Sequence, residues 1–283
     1  MTVLAVILSR VSVGDIVARA AGGNPLYLAA VLALALLSFV LVALRWRLLA
    51  RSLDLVVPVG VAVRAQFVAM FGGQVLPSAI GVDVLRGWAV TPHAGDVSRV
   101  VASLMADRLV ALFAACLLAL PSLGGLVGPP VLAGWVGPPW VAGLLGPAAV
   151  LGAGAALLAF TIGLRRLEGV APRSRPIGLA IGMALGTHAT AVMMAVLAAA
   201  AYRVDSSLIL WFSVIPVSII VSAMPVSLNG WGVREGAVVM LAGPLGVPAP
   251  EALLVSMTLG VLSMLASLPG AVVLLRGRGR GVA

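Results

Sequence analysis

The chain has 283 residues, of which 62% are hydrophobic and 10% charged. Soluble domains carry about 25% charged residues, so a water-soluble enzyme is excluded. The formal charge of +9 comes from 18 basic residues, every one an arginine, against 9 acidic ones. A chain without lysine has no Walker A loop and no Schiff-base amine. The pI near 11.6 fits the arginine-rich loops of a membrane protein rather than a nucleic-acid partner. Cys116 is a lone cysteine and His93 and His188 are the only histidines. No intrachain disulfide, Cys/His metal site or cofactor is expected.

In chain order, Met1 to Leu8 reads as the tail of a shortened helix, and two readings of residues 1–25 stand open: a truncated first span, or a start codon further upstream. Leu26 to Leu44 is an uninterrupted apolar run closed by Arg45, Arg47 and Arg51. Val59 to Val75 holds Arg64, Gln66 and Gln74 and breaks at Gly72-Gly73 and Pro77. Val100 to Leu120 carries Asp107 and Arg108, and a buried or an interfacial position is open for that pair. In 121–140 half the residues are Gly or Pro, which argues against a regular helix. Val141 to Leu164, Ile177 to Ala201, Leu208 to Met224, Val233 to Val247 and Ala252 to Leu275 are apolar again, and 276–283 is a basic tail. Gly178, Gly182 and Gly186 are spaced for a small-residue packing ridge.

Arginine-rich loops stay in the cytoplasm, which puts 45–58, 165–176 and the tail inside and 121–140 outside. Parity then forces 59–86, lying between two inside loops, to be a re-entrant hairpin or a broken helix pair. Non-helical backbone at that depth must line protein or a cavity. The fold class predicted is all-α: one domain over 1–283, a polytopic transmembrane bundle of about seven to nine membrane segments. Two segments are broken or re-entrant, with the trace of an internal repeat.

That trace is specific. Leu76-Pro77-Ser78-Ala79-Ile80-Gly81-Val82-Asp83-Val84-Leu85-Arg86 and Met224-Pro225-Val226-Ser227-Leu228-Asn229-Gly230-Trp231-Gly232-Val233-Arg234-Glu235 share an order. In each, a proline ends an apolar run, glycines follow, and an arginine stands nine positions on; both pairs are 148 residues apart. Paired interruptions in two halves point to a midplane binding site. Freed backbone N–H groups and helix N-termini attract anions, and arginine binds phosphate bidentately. The candidate site is therefore Arg86 and Arg234 in one shared polar pocket, with Asp83 and Glu235 as counter-charges. Gly81, Gly230 and Gly232 would admit a headgroup to the backbone. Pro77, Ser78, Pro225 and Asn229 form the breaks, and Asp107, Arg108 and Gln74 complete the lining.

The first of these blocks resembles the "LPSxxGGDxxR" pattern of the lysylphosphatidylglycerol synthase transmembrane region, also called the flippase-like family. Asp107-Arg108 is similar to its "DR", the Pro225 to Glu235 block to its "PxSxxGxGxRE", and Arg45-Trp46 to its early "RW". Val82 departs from the second glycine. The resemblance implies an integral inner-membrane, multi-pass lipid translocator of flippase or scramblase type. It would move a phospholipid, aminoacylated lipid or polyprenyl-linked glycolipid between leaflets. No chemical conversion is expected: the aminoacyl-transferase domain of fused members has no counterpart up to Ala283. Membrane lipids, and a separately encoded lipid-modifying or glycosyl-transferring enzyme, are the partners implied. Two other readings stand beside it: a secondary transporter of a small organic anion, whose polar site would be sealed from lipid, and a membrane scaffold for such an enzyme.

Overall fold

The computed structural model describes residues 13–76, 78–121, 148, 150–162, 174–222 and 230–278, and among these it is helical with no strand. The helices are α1 (Val13–Ala21), α2 (Pro25–Ser52), α3 (Val59–Gly72), α4 (Ser78–Ala94) and α5 (Val97–Pro121). They continue with α6 (Val150–Ile162), α7 (Ser174–Ala201), α8 (Leu208–Ser222), α9 (Val233–Ala242), α10 (Ala249–Ser267) and α11 (Pro269–Arg278). The connection 121–140 lies outside the described residues, save Pro121 at the end of α5.

Among the described residues, four stretches are long and apolar enough to cross a bilayer: Pro25–Ser52, Val97–Ala119, Pro176–Ala201 and Ala249–Arg276. The 28 residues of α2 span about 42 Å at 1.5 Å per residue. Asn24 caps this helix, its side chain accepting from Leu26 N at 3.0 Å, with Pro25 at the first helical position. The outer surface is apolar, with Leu26, Leu151, Leu158 and Leu275 exposed, while Arg45, Gln66, Arg86, Asp107 and Glu235 are buried. That inversion suits hydrocarbon as the solvent.

The expected hairpin is present. At 14 residues, α3 reaches about 21 Å, short of a hydrocarbon core of about 30 Å; the chain turns after Gly73 and returns as α4. A Cβ on Gly73 would collide with Val82 of α4, so the two limbs meet through a glycine. A second hairpin, α8 and α9, has the same form.

The two hairpins belong to two copies of one unit, α2–α5 and α7–α11. Helices α2 and α7 end alike: Leu55 N donates to Ala50 O at 3.0 Å, and Val204 N to Ala199 O at 2.9 Å. The two non-glycine residues with positive φ among those described, Asp54 (58°) and Arg203 (55°), stand 149 positions apart, each closing its helix in the left-handed conformation. The packing repeats as well. Helix α2 lies against α3 and α5 as α7 lies against α8 and α10, and α3 crosses to α10 and α11 as α8 crosses to α5.

The copies are inverted. Asn24 N, before α2, donates to Ala201 O, the end of α7, at 3.0 Å. Leu49 near the other end of α2 packs with Ala180 and Ala184 near the start of α7. Helices α2 and α7 are therefore antiparallel across a pseudo-two-fold axis lying in the membrane plane. The α3–α4 hairpin enters from the end where α2 finishes, and the α8–α9 hairpin from the end where α7 finishes.

Two sequence expectations are corrected here. Arg45 does not close an apolar run at the interface, because α2 continues to Ser52 and Arg45 is buried. The run 252–275 lies within one membrane-length stretch, Ala249–Arg276, as read from the sequence; Pro269, lacking an N–H, marks the junction of α10 and α11 within it. Gly178, Gly182 and Gly186 form no packing ridge, since a Cβ at any of them meets nothing within 4 Å; Ala180 and Ala184 provide the buried face.

Candidate functional site

Five charged side chains from three helices converge in the first half. On α2, Arg45 grips Asp107 of α5 with both prongs, Nε to Oδ1 at 2.7 Å and Nη2 to Oδ2 at 3.2 Å. Its Nη1 donates to Thr187 Oγ1 of α7 at 3.3 Å. Arg86 of α4 donates through Nη2 to Asp107 Oδ2 at 3.1 Å and to Asp83 Oδ1 at 2.9 Å, and through Nη1 to Gln66 Oε1 at 3.0 Å. Its guanidinium stands 5.6 Å over the ring of Trp46, whose Nε1 donates to Ser103 Oγ at 3.0 Å. Asp83 receives Arg108 Nε on its second oxygen. Among the described residues, Arg86 Nε has no hydrogen-bond partner.

Why the sequence builds this follows from helix spacing. Asp83 and Arg86 sit three apart on one face of α4, the spacing at which side chains meet. Asp107 lies about 15 Å from the start of α5 and Arg45 about 10 Å before the end of α2, counting 1.5 Å per residue. The constellation is thus well inside the bundle on the hairpin's own side. Unpaired charge at that depth is costly, and breaking one pair leaves another charge stranded.

The charges line a cavity of about 180 Å³ whose described walls come from α2–α5. Arg108 forms part of this wall and also borders two larger apolar clefts. One, of about 560 Å³, runs between α4 and α5 along Trp88, Val101 and Met105; those three side chains are exposed. The other, of about 420 Å³, lies along Leu112, Ala115, Ile219 and Ile220 beside His188. His188 Nε2 is 2.9 Å from Ala111 O.

In the second half Glu235 is fully buried. It reaches back to Gly232 N at 2.6 Å, capping its own helix, and accepts Arg234 Nε at 3.0 Å and Ser256 Oγ at 3.5 Å. Arg234 lies 5.1 Å over the Trp231 ring, and a Cβ on Gly260 would strike both side chains. Gly260 lies about 16 Å from the start of α10, so this pair too is well inside the bundle.

Among the described residues Arg86 and Arg234 stand in two constellations with separate hydrogen-bond partners, and the inverted copies bring their hairpins in from opposite faces. Asp83 and Glu235 are the counter-charges, as read from the sequence, and Asp107 is buried with Arg108 partly exposed. Gln74 is not among the residues lining this cavity: it follows α3, and its amide donates to Met70 O of that helix at 3.3 Å. Gly81 offers no room to a headgroup, since a Cβ there would lie 2.6 Å from Leu76 Cβ. Gly230 and Gly232 adopt positive φ, 81° and 84°, and serve the turn into α9. Ser78 begins α4; Pro77, Pro225 and Asn229 lie outside the described residues. Sequence reading missed Arg45, Gln66 and Trp46 as members of one network. The usable signal was Arg45-Trp46 lying a full two turns before the helix end.

No curated protein matches the chain. The family described as lysylphosphatidylglycerol synthase TM region matches residues 1–270. A bundle of apolar spans with buried ion pairs agrees with it, and this chain belongs to that family, whose description ties a membrane protein to lipid handling.

Proposed function

We propose that the protein translocates a phosphate-bearing lipid between the leaflets of the plasma membrane, without chemical conversion. The observation that carries the reading is the position of Arg108, common to the charged cavity and to both apolar clefts. A headgroup phosphate in the cavity would meet guanidinium groups, while acyl chains lie along the clefts. The polar cavity replaces hydration that hydrocarbon denies a headgroup, lowering the cost of crossing. Exposed Trp88, Val101 and Met105 support lateral access from lipid and disfavour transport of a small water-soluble anion. No nucleotide site is implied, so movement runs down a gradient or couples to potential or protons.

The test is reconstitution into liposomes of phosphatidylcholine doped with fluorescent phosphatidylglycerol, with dithionite quenching of the outer leaflet. Protein should accelerate loss of the protected half of the signal. Arg108→Gln, at a partly exposed side chain, should slow it about tenfold or more, the worth of one charge-assisted contact. Rates equal to empty liposomes, across phosphatidylglycerol, phosphatidic acid and polyprenyl phosphate, would refute the proposal.

A further inference from the structure

Asp83 differs from the other acid of its network. Its side chain is 17% exposed against 4% for Asp107, and it borders both the charged cavity and the α4–α5 cleft. One carboxylate oxygen accepts from Arg86 and the other from Arg108, so a single O–C–O group bridges two guanidinium groups. A phosphate ester offers the same bridge through O–P–O, and arginine pairs bind it in that manner. Arg86 does not depend on Asp83, because Asp107, Gln66 and the Trp46 ring hold it as well. With Asp83 in place, three arginines and two aspartates leave one net positive charge. With Asp83 turned out, the excess rises to two, matched to an anion.

We infer that Asp83 is a resident stand-in for phosphate. A phosphate mono- or diester arriving in the cavity takes its place between Arg86 and Arg108, and return of the carboxylate expels the ligand. The inference rests on reading the cavity as a headgroup site. It adds that the site is self-occupied, exchanges one anion for another, and is selective for phosphate.

The experiment compares wild type with the isosteric Asp83→Asn, each purified in detergent. Ligand-induced thermal stabilisation is followed against inorganic phosphate, and separately in nanodiscs against phosphatidylglycerol in a phosphatidylcholine background. Removing the competing carboxylate should lower the half-saturating concentration about tenfold. Asp83→Glu, which keeps the competitor, should stay near wild type. Sharpening with phosphatidylglycerol supports the inference with a lipid ligand; sharpening with inorganic phosphate alone supports it with a free anion and counts against lipid translocation. Folded Asp83→Asn that binds both probes no better than wild type overturns it. Should Asp83→Asn elute as aggregate, Arg108→Gln decides: losing one side of the bridge should weaken wild-type phosphate binding about tenfold, and unchanged binding overturns the inference.

Discussion

Asp107 is the residue on which two arginines from different helices depend. Replacing it by asparagine leaves Arg45 without a counter-charge in a buried setting, while Arg86 keeps Asp83; breaking such a buried pair costs about 3–5 kcal/mol. Asp107→Asn should therefore lower the unfolding midpoint in detergent sharply. Glu235→Gln should do less, because its partner Arg234 keeps 23% of its side chain exposed and can be solvated. Thermal denaturation of both variants side by side checks the order. At this scale the sequence revealed which residues are charged and their local pairs, Asp83 with Arg86 and Arg234 with Glu235, because those lie within one helical turn. It did not reveal Arg45 with Asp107, separated by 62 positions, since no local periodicity encodes which distant helix a side chain meets.

Among the elements, the close approaches are made by glycines that the spacing pattern did not single out. A Cβ on Gly270 would run into the backbone of Phe67, so α11 lies directly on α3. Gly270→Ala should prise them apart at a cost of about 1–3 kcal/mol. Gly182→Ala, facing open space, should be neutral or gain up to about 1 kcal/mol from helix propensity. Midpoints from a thermal ramp separate the two, and equal loss in both would contradict the packing described. The first hairpin was legible because parity between arginine-rich loops left no alternative. The spacing rule for small residues failed on α7, since it specifies a face without saying whether any helix covers it. The stretch 249–276 was legible from hydropathy, because its apolar run continues through Pro269.

For the molecule as a whole, inversion makes Asp54 and Arg203 structural equivalents at opposite faces. In a Cys116→Ala background, Asp54→Cys should react with a membrane-impermeant thiol reagent from the cytoplasmic side and Arg203→Cys from the other. Labelling of both from one side would contradict the inverted arrangement. The repeat itself was hinted at by a dozen residues at each break, whereas its reach over nearly the whole chain emerged only from matching helix ends and contacts. Charge does not follow the symmetry: in the first half three arginines and two aspartates join in one network, while in the second Arg234 pairs with Glu235. Among the described residues the halves share a scaffold while the first carries the extended ionic network.

A scaffold made of two upside-down copies looks much the same from either side of the bilayer, so its shape gives the insertion machinery little to read. Which way it is threaded then rests on the uneven scatter of guanidinium groups between its two rims. A few substitutions at the rims, far from any cavity, could reverse the entire molecule and with it the leaflet that each half addresses.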